Sequence, residues 1–152
     1  FLFLSNLLIF GTCMAFVENY LFLFLLEEFH ATTVLCGLTI GMMVLGEVPI
    51  FYYAKWLIDK IGIIGLLTLA HFAYVIRCVF YTLLPETPYY AWFILLIEPI
   101  HGVTFGGMWI ASVEYGSKLA PRSMQATMQG LINGLYQGLA VCSGTIIGGV
   151  IY

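Results

Sequence analysis

The chain has 152 residues, 62% of them hydrophobic and 9% charged, with a formal net charge of −3 and a mean hydropathy of +1.01. A soluble domain carries about 25% charged residues, so this composition excludes a water-soluble globular protein and points to a membrane. The few basic residues occur in pairs rather than as a patch, which argues against nucleic acid as a partner.

Five apolar segments follow one another: Phe1–Leu26, Val34–Ala54, Ile63–Leu84, Tyr89–Tyr115 and Gln125–Tyr152. Each supplies the roughly 20 residues that a helix needs to span a ~30 Å hydrocarbon core. Segment one carries Glu18 and Asn19 in its second half and ends in the loop EEFHATT. Segment two holds Gly37, Gly41, Glu47 and Pro49 and leads into KWLIDKIG. Segment three contains His71 and Arg77 and stops at PETP, where Glu86 sits. Segment four carries Glu98, Pro99, His101, Gly102, Gly106 and Trp109, and gives way to GSKLAPRSM. Segment five contains Gly130, Gly134, Gly138, Gly144 and Gly148. Short loops force antiparallel neighbours, so the expected fold is an all-α integral membrane bundle. Glycines four apart let its helices approach closely.

Lys55, Lys60, Lys118 and Arg122 occupy the second and fourth loops, whereas the first and third hold only Glu27, Glu28, His30 and Glu86 as ionisable residues. By the positive-inside rule, the second and fourth loops face the cytoplasm and segment one runs outward. The chain has no initiating Met and ends inside a Gly-rich apolar run. It is therefore expected to be a piece of a larger protein.

Ionisable residues at membrane depth are expensive and face a bundle interior or a wet cavity. At a helical rise of ~1.5 Å per residue, Glu18, Arg77 and Glu98 each fall roughly 12–14 Å below the outer surface. His101 comes one turn deeper and, three residues after Glu98, shares its helix face. Burial disfavours an ionised carboxylate and a nearby Arg favours it, so Arg77, Glu98 and His101 form a candidate proton-coupling cluster. The plainer alternative is a structural ion pair between Arg77 and Glu98. Glu18 and Asn19 are candidate substrate contacts, as is Trp109, which could stack on a ring-shaped solute or simply pack. Pro49 and Pro99 each remove a backbone donor and are candidate hinges; Glu47 reads as a structural pair. Trp56, Tyr89 and Trp92 lie near span ends, where aromatic residues anchor at the interface.

No HExxH, phosphate loop or cysteine–histidine cluster occurs, so neither an enzyme nor a metal or other cofactor is expected. Cys13, Cys36, Cys78 and Cys142 read as packing residues. No ring of like charges or filter sequence suggests a channel.

The loop Lys55–Gly62 resembles the signature loop of the major facilitator superfamily: Asp59, Lys60 and Gly62 match, while Lys55, Ile63 and Ile64 depart from it. The stretches VLGEVPIF, AYVIRCVFY, EPIHGVTFGGMWIAS and APRSMQATMQGLINGLYQGL resemble the C-terminal half of the subgroup called major facilitator superfamily domain-containing protein six. The resemblance covers nearly the whole chain. It implies a partial C-terminal six-helix half, helices seven to eleven of a twelve-helix carrier, with the N-terminal half and the last helix missing. Segments one and four would line the cavity, two and five would face the missing half, and three would sit outside. It also implies that Asp59, Lys60, Gly62, Glu114, Lys118 and Arg122 form a cytoplasmic latch. Sugar–proton symporters of the superfamily place Arg on helix nine and His and Glu three apart on helix ten; here the order is Glu then His. The expected function is thus a secondary active transporter of a small polar solute such as a sugar or nucleoside, coupled to protons. Its partners would be that solute, the missing half and the lipid bilayer. The alternative is a non-transporting receptor or scaffold that keeps the carrier fold.

Overall fold

The computed structural model describes residues 1–85 and 87–151; Glu86, counted in the third loop, and Tyr152, the end of segment five, lie outside the described residues. Among the described residues, five helices are long and apolar enough to cross a membrane: α1 (Leu2–Glu27), α2 (Thr33–Tyr52), α3 (Ala54–Leu83), α4 (Tyr90–Leu119) and α5 (Arg122–Ile151). In hydrocarbon every backbone polar group must be satisfied within the chain, and helices do this even for the many Val, Ile and Phe residues present. The protein is an all-α, multi-pass integral membrane protein.

The helix faces are sorted for lipid. On α3, Leu66, Ala70, Ala73, Arg77 and Tyr81 are buried, at spacings of three or four that make one stripe. The outward face shows Phe72, Val75, Ile76, Val79 and Phe80. The outward face is thus lined by large apolar residues, while the inward stripe carries the polar Arg77 and Tyr81 and the small Ala70 and Ala73.

The second loop differs from the sequence expectation. KWLIDKIG is helical: residues 54–61 form two turns between Tyr53 (φ −92°, ψ 14°) and Gly62 (φ 74°, ψ 169°), which breaks α3 before its membrane-spanning part. That combination of angles is essentially restricted to glycine. Helix α4 also runs beyond Tyr115 to Leu119, which shortens the fourth loop.

The chain forms two compact units. One comprises Phe1–Leu23 and Ser112–Tyr152, the other Phe24–Ala111. In the first unit the early part of α1 packs on α5. Gly144 lies against the Thr12 carbonyl and Ala15, and Gly148 against the ring of Tyr20. The Tyr20 hydroxyl donates to the Thr145 carbonyl at 2.9 Å. At the end of α4, the Gln129 amide donates to the Val113 carbonyl at 3.0 Å.

In the second unit α2, α3 and α4 meet. Gly46 faces the backbone of Pro99, and Gly102 faces the backbone of Gly46. Gly107 of α4 rests on Leu66 and Ala70 of α3. Helix α4 is irregular here: an α turn at Ile94–Ile97, a bend at Glu98 and Pro99, a π turn at Gly102–Gly106, then regular helix from Gly107.

Candidate functional site

The irregular part of α4 is what builds the site. Pro99 cannot donate a backbone bond, and the bonds around it shorten to three-residue steps: His101 N–H donates to the Glu98 carbonyl at 2.8 Å, and Gly102 N–H to the Pro99 carbonyl at 3.1 Å. This tight turn directs Glu98 and His101 toward Arg77 on α3.

Arg77 and Glu98 are both fully buried, and their ion pair closes at 2.8 Å between Nη2 and Oε2. The other Glu98 oxygen, Oε1, accepts a hydrogen bond from the Tyr81 hydroxyl at 2.6 Å. Arg77 Nε donates to the same Tyr81 oxygen, and Nη1 lies 2.8 Å from His101 Nδ1. On its far side, His101 Nε2 is 3.2 Å from Glu47 Oε1.

The donors in this network fix the state of His101. A guanidinium has only N–H donors, so Nδ1 must accept from Arg77. The ring hydrogen then sits on Nε2 and is donated to Glu47. His101 is thus a neutral bridge between Arg77 and Glu47. A charged ring would turn an N–H toward the guanidinium, so His101 does not carry a second ring proton, and hence no positive charge, in this arrangement. The other ionisable members besides Tyr81 are Arg77 and the carboxyl groups of Glu98 and Glu47, held by three helices.

Exposure grades across the cluster. The Arg77 and Glu98 side chains are 0% exposed, that of His101 6% and that of Glu47 23%. Glu47 is the member reached from outside. A row of parallel rings leads off from His101: Phe105 stacks on it at 5.7 Å, and Trp109 stacks on Phe105 at 6.1 Å.

Arg77, Glu98 and His101 are therefore brought together in space. Tyr81 and Glu47 were not assigned to this cluster from sequence. Tyr81 lies four residues after Arg77 and so on the same helix face, which is a usable signal. Glu47 adjoins Gly46, and the close approach at that glycine delivers it to His101.

The remaining candidates are placed elsewhere. Glu18 and Asn19 belong to the first unit, where the Asn19 amide donates to Thr145 Oγ1 at 2.7 Å. Glu114 and Lys118, also in the first unit, form an exposed pair at 3.2 Å. Arg122 is exposed at the start of α5, and Asp59 and Lys60 are exposed on residues 54–61, just before Gly62. Pro49 lies within α2, which continues through it, and the Tyr53 N–H donates to its carbonyl at 3.0 Å. His71 Nδ1 bonds the Leu67 carbonyl at 2.7 Å.

Comparison with known proteins gives a consistent picture. The family model described as the MFS_1 like family matches residues 1–152. The maltose permease of Geobacillus stearothermophilus is 28% identical over 148 residues, which is 97% of this chain and 36% of that protein. An uncharacterized transporter of Bacillus subtilis (strain 168), YwbF, is 26% identical over 135 residues, 89% of this chain and 33% of the relative. The chain spans about a third of the length of these curated relatives. No solved structure matches.

Proposed function

Because the chain belongs to the MFS_1 like family, we propose that it is part of a secondary active transporter that moves a small polar solute by alternating access and couples it to protons. Both relatives bear transporter names, one of them for a sugar, which favours a sugar-like solute over a nucleoside. In this reading the chain supplies helices seven to eleven of the carrier, and the subgroup is that of domain-containing protein six.

The observation that carries the reading is the buried network of Arg77, Tyr81, Glu98 and His101, which reaches the surface at Glu47. Arg77 holds α3 to α4, and His101 passes that hold to α2 through Glu47. A protonated Glu98 no longer presents an anion to Arg77, so one proton loosens contacts among three helices. Intramembrane ionisable groups mark such pathways. Trp109 and Phe105, partly exposed beside His101 in the second unit, offer apolar ring faces to a sugar. Glu18 and Asn19, in the first unit, are proposed separately as polar contacts for the solute. The exposed charges Asp59 and Lys60 of the second unit, and separately Glu114, Lys118 and Arg122 of the first, serve as cytoplasmic latch charges toward the rest of the carrier; the irregular turn at Pro99 serves as a hinge, with Pro49 as a second one.

The test uses the full-length protein in proteoliposomes, screened against maltose, other sugars and nucleosides. Glu98→Gln mimics the protonated carboxyl. It should abolish uptake driven by a pH gradient and leave solute exchange largely intact. Normal pH-driven uptake by this variant would rule the proton site out.

A further inference from the structure

Helix α2 ends at Tyr52 and the chain turns at Tyr53; residues 54–61 then run as a short helix until Gly62 redirects the chain into the span. The two breaks leave a gap on the second unit. Pro49, Ile50 and Tyr53 form one side and Trp56 and Leu57 the other of an open, almost wholly apolar cleft of about 350 Å³. A cleft with dry walls has nothing to hold ordered water, which needs two to four polar partners. Hydrocarbon fits it.

The rim has the opposite character. Tyr53 is 55% exposed and Trp56 59%, amphipathic rings of the kind that settle at the headgroup level. Lys60 follows Trp56 by four residues and so shares its face of the short helix, and Lys55 directly precedes Trp56. Both lysines are exposed; Asp59 on the same segment leaves a net positive charge of one. By the positive-inside reading this rim lies in the cytoplasmic leaflet, where anionic lipids attract basic segments beside a span.

We propose that this cleft is a binding site for an anionic phospholipid, with an acyl chain between Ile50 and Trp56 and its phosphate at Lys55 and Lys60. The charge of the rim favours that occupant over a zwitterionic lipid. The dryness of the walls favours an acyl chain over a polar solute. The site stands apart from the ion cluster and does not depend on proton coupling; it shares Lys60 with the proposed latch and lies at the end of α2.

The experiment is native mass spectrometry of the full-length protein, released from mild detergent supplied with equal amounts of dioleoyl phosphatidylglycerol and dioleoyl phosphatidylcholine. One phosphatidylglycerol should be retained in preference. Lys55→Gln and Lys60→Gln should each weaken that preference about fivefold. A phosphatidylglycerol bearing a photoactivatable group on its acyl chain should label the peptide that contains residues 49–57. Equal retention of the two lipids would overturn the proposal, as would a preference that survives both substitutions. Absence of label from that peptide would show instead that another part of the protein covers the cleft.

Discussion

Gly102 stands against the backbone of Gly46 so closely that a methyl group on Gly102 would overlap the Gly46 carbonyl. The residues next to this pair, His101 and Glu47, meet at 3.2 Å. A polar contact between α2 and α4 therefore depends on two positions with no side chain at all.

Gly102→Ala should force the two helices apart. Overpacking a close contact costs about 1–3 kcal/mol, and the Glu47–His101 pair should be lost with it. Thermal unfolding of the full-length protein in detergent should show a clear fall. Gly65→Ala is the control, since its added methyl would meet Ile61 only at 3.4 Å, an ordinary contact distance. Equal melting of the two variants would refute the close approach.

Removing either partner of the Arg77–Glu98 pair leaves a buried charge uncompensated, at a cost of about 3–5 kcal/mol. Arg77→Met and Glu98→Leu should each lower the yield of monodisperse protein. Together they should recover much of it, because two apolar residues cost less than one orphaned charge. The double variant should still fail in pH-driven uptake. Recovery of both folding and uptake would reduce the pair to a structural element.

At Gly62 the backbone angles lie in a region costing about 1–3 kcal/mol for other residues. Gly62→Ala and Gly62→Asn should both be destabilising, since asparagine tolerates the left-handed helical region but not this one. The measure is thermal unfolding of the two variants beside the parent. An unchanged melting temperature for either would mean that the break at Gly62 is dispensable.

The distribution of basic residues predicts an orientation that can be read in intact cells. A cysteine introduced at Lys118 in a background lacking the native cysteines should resist an impermeant reagent added outside. One introduced at Glu28 should react. Outside labelling near Lys118 would reverse the topology.

Apolar run length was enough to locate five spans, because the bilayer sets one length scale for all of them. Segment two, read as Val34–Ala54, is observed as Thr33–Tyr52. Charges isolated in apolar runs pointed to Arg77, Glu98 and His101, since burying such groups is too costly to be incidental. Tyr81 was hidden among ten tyrosines; only its four-residue spacing from Arg77 marks it. Glu47 could not be joined to His101 from sequence, because the join depends on the backbone approach of Gly46 to Gly102. Residues 54–61 looked like a loop because their charges outweigh their helical spacing. The π turn at Gly102–Gly106 left no legible mark, since a helix that widens for one turn keeps the same composition.

The wide turn at Gly102–Gly106 has a mechanical consequence. It accommodates an extra residue between the part of α4 that carries Glu98 and the part that carries Trp109. One residue corresponds to about 100° of rotation around a helix axis. Were that residue taken up elsewhere in α4, the stretch in between would turn by this angle, a little over a quarter turn of a screw. Trp109 would then point in a new direction while Glu98 kept its place beside Arg77.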